Sequence, residues 1–177
     1  ATWVVVDAQN LGNGFARQIR YRTKIPATTS GIVTITFTNT VDTFLYSVYL
    51  LDGADTSGSN GAGAFRQTVK NIGSGAASPV VTLATLARST HTILVAYHLA
   101  NDTDGTVYTS TQEATYIELL DAGLTEGGVS ESYSVAVRYG SGDLTPSATF
   151  SAATDASGTM ASEIVEQPNI LMGQACL

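Results

Sequence analysis

Two histidines, His91 and His98, are the only side chains here whose ordinary titration range spans neutral pH. They stand seven residues apart in "THTILVAYHL", a segment that reads as a strand. An odd spacing puts them on opposite faces of a regular strand, so they cannot share one metal ion, and structural roles are expected for both. A histidine acting as a base needs a nucleophile and an orienting carboxylate, and no G-x-S-x-G elbow occurs. Glu113, Glu118, Asp121, Glu126 and Glu131 are enough carboxylates for a glycosidase pair, but one tryptophan, Trp3, is a poor supply of sugar platforms. Asp52 and Asp55 in "DGADTSGSNG", and Asn101, Asp102 and Asp104 in "NDTDG", are oxygen-rich loops of the sort that wrap Ca2+. Neither completes an EF-hand, and solvent-exposed turns are the simpler reading. No catalytic residue, cofactor-binding residue or metal ligand is assigned; calcium at Asp52/Asp55 or Asp102/Asp104 is the secondary alternative. The expectation is a protein that is not an enzyme.

Charge points the same way. The chain of 177 residues carries a net charge of −7, a poor match to phosphate backbones, so nucleic acid is not an expected partner. Residues 1–100 hold seven basic against four acidic side chains, whereas residues 101–177 hold Arg138 alone against eleven acids. An electrically polar molecule of this kind can pack basic face to acidic face. The basic side chains concentrate in "ARQIRYRTK", which holds Arg17 and in which Arg20, Arg22 and Lys24 read as an outward row with Ile19 and Tyr21 pointing in. They are candidate partner contacts; a solvated edge strand protected by its charges is the plainer reading.

The elements that must carry these residues are strands. Period-2 alternation recurs in "GIVTITFTN" and "ESYSVAVRY", while "TFLYSVYLL" and "THTILVAYHL" are apolar on both faces. Further strands are expected at Trp3–Val6, Val80–Leu86, Ala114–Leu120, Pro146–Ala152 and Thr159–Val165, separated by Gly/Ser/Asp turns such as "NLGNG", "GSGD" and "DASG". The fold class is therefore all-β: a single antiparallel β-sandwich, jelly-roll-like, of about ten strands. It occupies residues 1–166, with 167–177 as a C-terminal tail whose Ile170, Leu171 and Met172 dock on the domain or on a neighbour. Cys176 alone permits no intrachain disulfide. The first ten residues lack the basic and apolar regions of a signal peptide, and no run is long enough to span a bilayer, so no membrane association is expected.

From "GIVTITFTNTVDTFLYSVYLLDG" through "SGTMASEIVEQ" the pattern resembles small β-sandwich modules of phage head and tail proteins and of bacterial surface proteins. The resemblance implies a non-enzymatic virion structural protein: a phage capsid decoration or cement protein, or a spike or tail component. Its partners would be the major capsid protein or other virion proteins and further copies of itself, in symmetric oligomers, trimers especially, and its location the virion. The alternative is a carbohydrate-binding or adhesive module at the cell surface or outside the cell. For that reading Tyr108, in the polar "GTVYTSTQ", is the tyrosine free to stack on a glycan.

Overall fold

The computed structural model describes residues 1–12, 14, 16–25, 31–41, 43–73, 77–101, 105–140, 143–153 and 155–165, and the backbone of 169–173. Asp102 and Asp104 lie outside the described residues, as does Cys176. The described chain is all-β and antiparallel: β1 (Val4–Asn10), β2 (Arg17–Arg22), β3 (Val48–Asp52), β4 (Phe65–Gly73), β5 (Thr92–Asn101), β6 (Ser110–Gln112), β7 (Ile117–Glu126), β8 (Val129–Arg138), β9 (Ala148–Phe150), β10 (Ala156–Ile164) and β11 (Asn169–Gly173). One short 3₁₀ segment, Ser59–Ala64, precedes β4.

A five-stranded sheet, ordered β4-β10-β5-β8-β7, forms the middle layer. One row of register runs Lys70, Met160, Ala96, Val135, Leu120 across it. Both faces are covered, which is why β5 and β10 are buried at every position. On one face Ile93, Val95, Tyr97, Leu99, Ala136 and Ala161 meet Val81, Leu83, Tyr108, Tyr116, Ala148 and Phe150, contributed by the β6–β9 pair and its connections. On the other, Leu94, Ala96, Leu120, Val135, Val137 and Ile164 pack against Tyr49 and Leu51 of β3 and against Phe65 at the start of β4. The β1–β2 hairpin joins this second layer through Leu11 and Ala16, which rest on Ala100 and Ala156.

Small residues set the spacing of these layers. Ser130, Ser132 and Ser134 of β8 are buried, and their hydroxyls hold the 105–112 segment: Tyr108 N–H donates to Ser132 Oγ (2.8 Å), and Ser130 Oγ–H donates to the Thr106 carbonyl (2.6 Å). A Cβ on Gly158 of β10 would stand 2.8 Å from Gln9 Nε2 and 3.1 Å from Leu11, so glycine is what lets the β1–β2 hairpin lie against the sheet. Between β7 and β8, Gly127 (φ 57°) and Gly128 (φ 88°) supply the two positive φ values that a tight two-residue hairpin turn requires.

The alternating segment 31–39 does not form a strand: residues 31–41 pair with no strand and are exposed throughout. Alternation makes a segment competent to pair, but a strand also needs a neighbour to take its N–H and C=O groups. Within "TFLYSVYLL" only residues 48–51 are strand, as part of β3, and residues 80–86 contribute a single bridge, Val80 to Ser147. Conversely β4, whose "FRQTVKNIG" mixes charges and amides with apolar residues, is an edge strand that the alternation does not mark.

Candidate functional site

The two histidines lie at opposite ends of the "THTILVAYHL" segment and on opposite faces of the sheet, each beside a carboxylate from a neighbouring strand. Glu163 of β10 is fully buried (0% exposed), and its Oε1 accepts from His91 Nδ1–H (2.6 Å) and from the Ala87 backbone N–H (2.8 Å). Its Oε2 accepts from Gln67 Nε2 (2.7 Å), and Gln67 in turn bonds both backbone groups of Ala84. Burial pushes the Glu163 carboxyl up, but the bonds from Gln67, His91 and Ala87 outweigh it and hold the group below the usual carboxylate range. On the other face His98 Nε2–H donates to Glu131 Oε2 (3.1 Å), and the Tyr133 ring stands edge-on to the imidazole. Glu131 Oε1 accepts from Thr43 Oγ1 (2.9 Å); here too desolvation is outweighed by the hydrogen bonds and charge of its partners, and the pKa is lowered. Both arrangements join β5 to adjacent strands and to covering segments, which is a structural use of imidazole. The partners were not assigned from sequence, although a lone Glu within the small and apolar "GTMASEIV" is itself a sign that a buried partner exists.

The basic row faces the opposite way from its sequence reading. Tyr21 is 50% exposed, while Gln18 is buried and Arg20 turns onto the sheet. Arg20 donates to the Leu94 carbonyl (3.4 Å), the Met160 carbonyl (3.0 Å) and Ser162 Oγ. Desolvation lowers its pKa against the raising influence of Tyr133, Tyr49 and Asp7. Arg22 lies over the Phe65 ring (5.9 Å to its centroid), and Lys24, exposed, donates to the Thr56 carbonyl (3.2 Å). The reason for the inversion is the amide pair Gln9–Gln18 (2.6 Å), which fixes the hairpin's polar face inward, where Gln9 and Gln18 also bond the Thr159 and Ala96 carbonyls. Arg17 stays exposed.

Tyr108 is likewise not free for a ligand. It is 6% exposed within the core, and its hydroxyl accepts from Asn101 Nδ2 (2.7 Å). Polar neighbours in sequence mislead here because they are spent on β8 serines. Asp55 closes its own turn by accepting from Ser57 N–H (2.7 Å), a bond that lowers its pKa, and among the described residues no three His, Cys, Asp or Glu side chains converge to hold a metal. In the tail, Ile170, Leu171 and Met172 belong to β11, whose backbone pairs with β3 opposite Leu51, Leu50 and Tyr49. One depression, lined by Asn71, Ser78, Pro79, Val80, Ser157 and Thr159, encloses about 100 Å³. That is a few water molecules, well short of the roughly 300 Å³ at which small-molecule sites begin.

The surface holds the largest unexplained feature. Residues 25–41 contain no charged side chain. Within them Ile32 is 94% exposed, and Val33, Ile35, Phe37 and Val41 are between 43% and 45% exposed. This arm is rooted at Thr43, through its bond to Glu131, and at Ser47, whose hydroxyl lies 3.4 Å from Tyr133 Oη. An aromatic run links root and arm: Phe37 stands edge-on to Phe44 (4.8 Å), which stacks on Tyr46 (5.5 Å). No known protein family, curated protein or solved structure matches the chain.

Proposed function

We propose that this chain is a non-enzymatic structural protein that works by packing against protein neighbours, as a decoration or cement protein, or a spike or tail component, of a virus particle. The observation that carries the packing reading is the arm: five exposed apolar side chains on an uncharged segment outside a core that is already closed. Apolar surface of this kind, continuous along a chain, is characteristic of interaction sites. The histidines and their carboxylates support the same reading, since each is committed to hydrogen bonds that hold strands together. Interfaces of this class bury on the order of 800 Å² per partner. The virion setting rests on the sequence pattern described above. Sedimenting particles from the native source on a density gradient, with mass spectrometry of each fraction, tests it. Stoichiometric co-migration with nucleic-acid-containing particles is the expected result, and recovery only in soluble or cell-surface fractions overturns the setting.

The carbohydrate-binding alternative moves to another surface. Trp3 (43% exposed), Val5 and Tyr21 form an apolar patch at one end of the β1–β2 hairpin, where Val5 pairs with Tyr21. Glycan-array binding that is lost on Trp3→Ala, with the fold intact, is the result that would favour it.

A further inference from the structure

We infer that the β1–β2 hairpin is exchanged between two copies of this chain, each hairpin seated on the other copy's sheet, with the arm, residues 31–41, as the crossing segment paired to the arm of the second copy. The hairpin is a detachable unit. β1 and β2 pair only with each other, and the hydrogen bonds that seat them on the middle sheet run through side chains: Gln9 to the Thr159 carbonyl, Gln18 to the Ala96 carbonyl, Arg20 to Leu94, Met160 and Ser162, and Lys70 to Asp7 and Ala8. The sheet side of that seat is built from β4, β5 and β10, so it accepts a hairpin from either chain. What joins hairpin to seat is a long connection, residues 23–47, with no strand in its described part. Connections of that length without secondary structure are uncommon in compact domains and are usually functional or linking segments. Drawn out at about 3.3 Å per residue it reaches roughly 80 Å, against roughly 19 Å for the width of a five-stranded sheet. Thr43 and Ser47 tie its far end to β8, but none of residues 31–41 belongs to a strand or hydrogen-bonds another described residue.

Exchange accounts for the composition of the arm. In a two-fold exchange the two connections pass each other antiparallel, and a residue a given number of places before the axis faces the residue the same number of places after it. A period-2 segment is then complementary to itself: with the axis at Ile35, Val33 faces Phe37 and Thr34 faces Thr36. Charge would spoil this pairing, because a charged side chain near the axis meets its own copy; none occurs from residue 25 to residue 41, in a chain whose net charge is −7. The same pairing gives the arm's N–H and C=O groups partners and covers Val33, Ile35 and Phe37, which a single chain leaves exposed. Hairpin and sheet make the same bonds in the closed and exchanged forms, so the arm pair, present in the exchanged form alone, is what favours the dimer.

The inference rests on the packing reading and not on the virion setting. Light scattering behind size exclusion, over a wide concentration range, reads the mass of the full chain, and a mixed-chain cross-link reads whose hairpin sits on whose sheet. One chain carries Asp7→Cys and the other Lys70→Cys, positions whose side chains meet at 2.6 Å, each with Cys176→Ser; the two are unfolded, refolded together, diluted and treated with a short bis-maleimide. A dimer whose two kinds of chain become joined to each other is expected. Ile35→Asp places an aspartate from each copy at the axis and should raise the dissociation constant on the order of a hundredfold, about tenfold per copy, while the urea midpoint of the monomer, in which Ile35 is exposed, is unchanged. Gly12→Cys with Gly73→Cys, where a Cβ on Gly12 would lie 3.4 Å from the Gly73 carbonyl oxygen, repeats the cross-link if a chain altered at 7 or 70 fails to refold. A chain monomeric at every concentration, a dimer whose cross-links never join the two kinds of chain, or an unchanged dissociation constant in Ile35→Asp would each overturn the exchange. An oligomer without cross-chain links, or a monomer that still travels with particles, sinks the exchange and leaves the packing reading standing; an exchanged dimer absent from particles sinks the virion setting alone.

Discussion

Glu163 is the place to disturb the core, because its three hydrogen bonds are all visible and all to donors. Replacing it by alanine leaves the His91 ring, the Gln67 amide and the Ala87 N–H facing a space closed to water. Removing one member of such a buried set costs about 3–5 kcal/mol, which for a domain of this size lowers the melting temperature by roughly 6–20 °C. Glu163→Gln separates charge from shape. Its carbonyl can replace Oε1 and keep Ala87 and His91, but its NH₂ then opposes the NH₂ of Gln67. Gln67 cannot turn over without losing its two bonds to Ala84. One lost bond with a donor left facing a donor costs about 1–3 kcal/mol. The acid limb supplies a second reading. Glu163 and Glu131 have folded pKa values below their ordinary ones, so the folded state binds fewer protons than the unfolded state across that range. Their stabilisation is complete above the unfolded pKa, near 4.5, and is lost as pH falls through the lowered folded values. Urea unfolding at neutral pH and at successive pH values below 5 should therefore show a steep acid loss in the parent, flatter in Glu163→Gln. The reasoning is refuted if Glu163→Ala unfolds within 0.5 kcal/mol of the parent, the margin typical of surface substitutions.

Arg20→Met removes a guanidinium that donates to Leu94, Met160 and Ser162 and should cost about 1.5–3 kcal/mol in chemical denaturation; Arg17→Met, exposed, should be neutral. Tyr108→Ala should destabilise by about 3–5 kcal/mol, measured by calorimetry, as loss of a buried aromatic does. Gly158→Val should push the β1–β2 hairpin from the sheet, costing about 1–3 kcal/mol by overpacking and speeding exchange of the Gln9 and Gln18 side-chain amides in NMR.

Strands whose pattern follows from burial alone were readable: β5, apolar on both faces, and β8, with Tyr133, Val135 and Val137 on one face, lie where the side chains place them, as does β10 from Thr159 on, whereas residues 156–158, which read as part of the "DASG" turn, already belong to that strand. So was the separation of His91 from His98, which depends only on parity. What resisted reading was whatever depends on a neighbour supplied from elsewhere in the chain. The arm alternates like a strand but has no strand beside it; β4 has strands beside it but does not alternate. The inverted basic strand fails for the same reason, since a glutamine pair 9 residues apart sets which side of β2 is inside, and the long reach of Arg20 to sheet carbonyls satisfies its charge. For the β7–β8 hairpin the signal was present in "TEGGV", two glycines between alternating residues.

The position of β10 has a consequence for synthesis. It lies between β4 and β5, so its residues 156–164 must enter between strands whose paired residues were made roughly 55 to 100 residues earlier. Until they leave the ribosome, β4 has no partner in the sheet and the apolar flank of β5 is open. The middle layer thus closes only after nearly the whole described chain has been made, and contacts of such long sequence separation place folding among the slow all-β cases. During that interval both β4 and the neighbouring flank of β5 are open to other chains, so yield on expression should respond to temperature and chaperone supply more than the finished protein's stability would suggest.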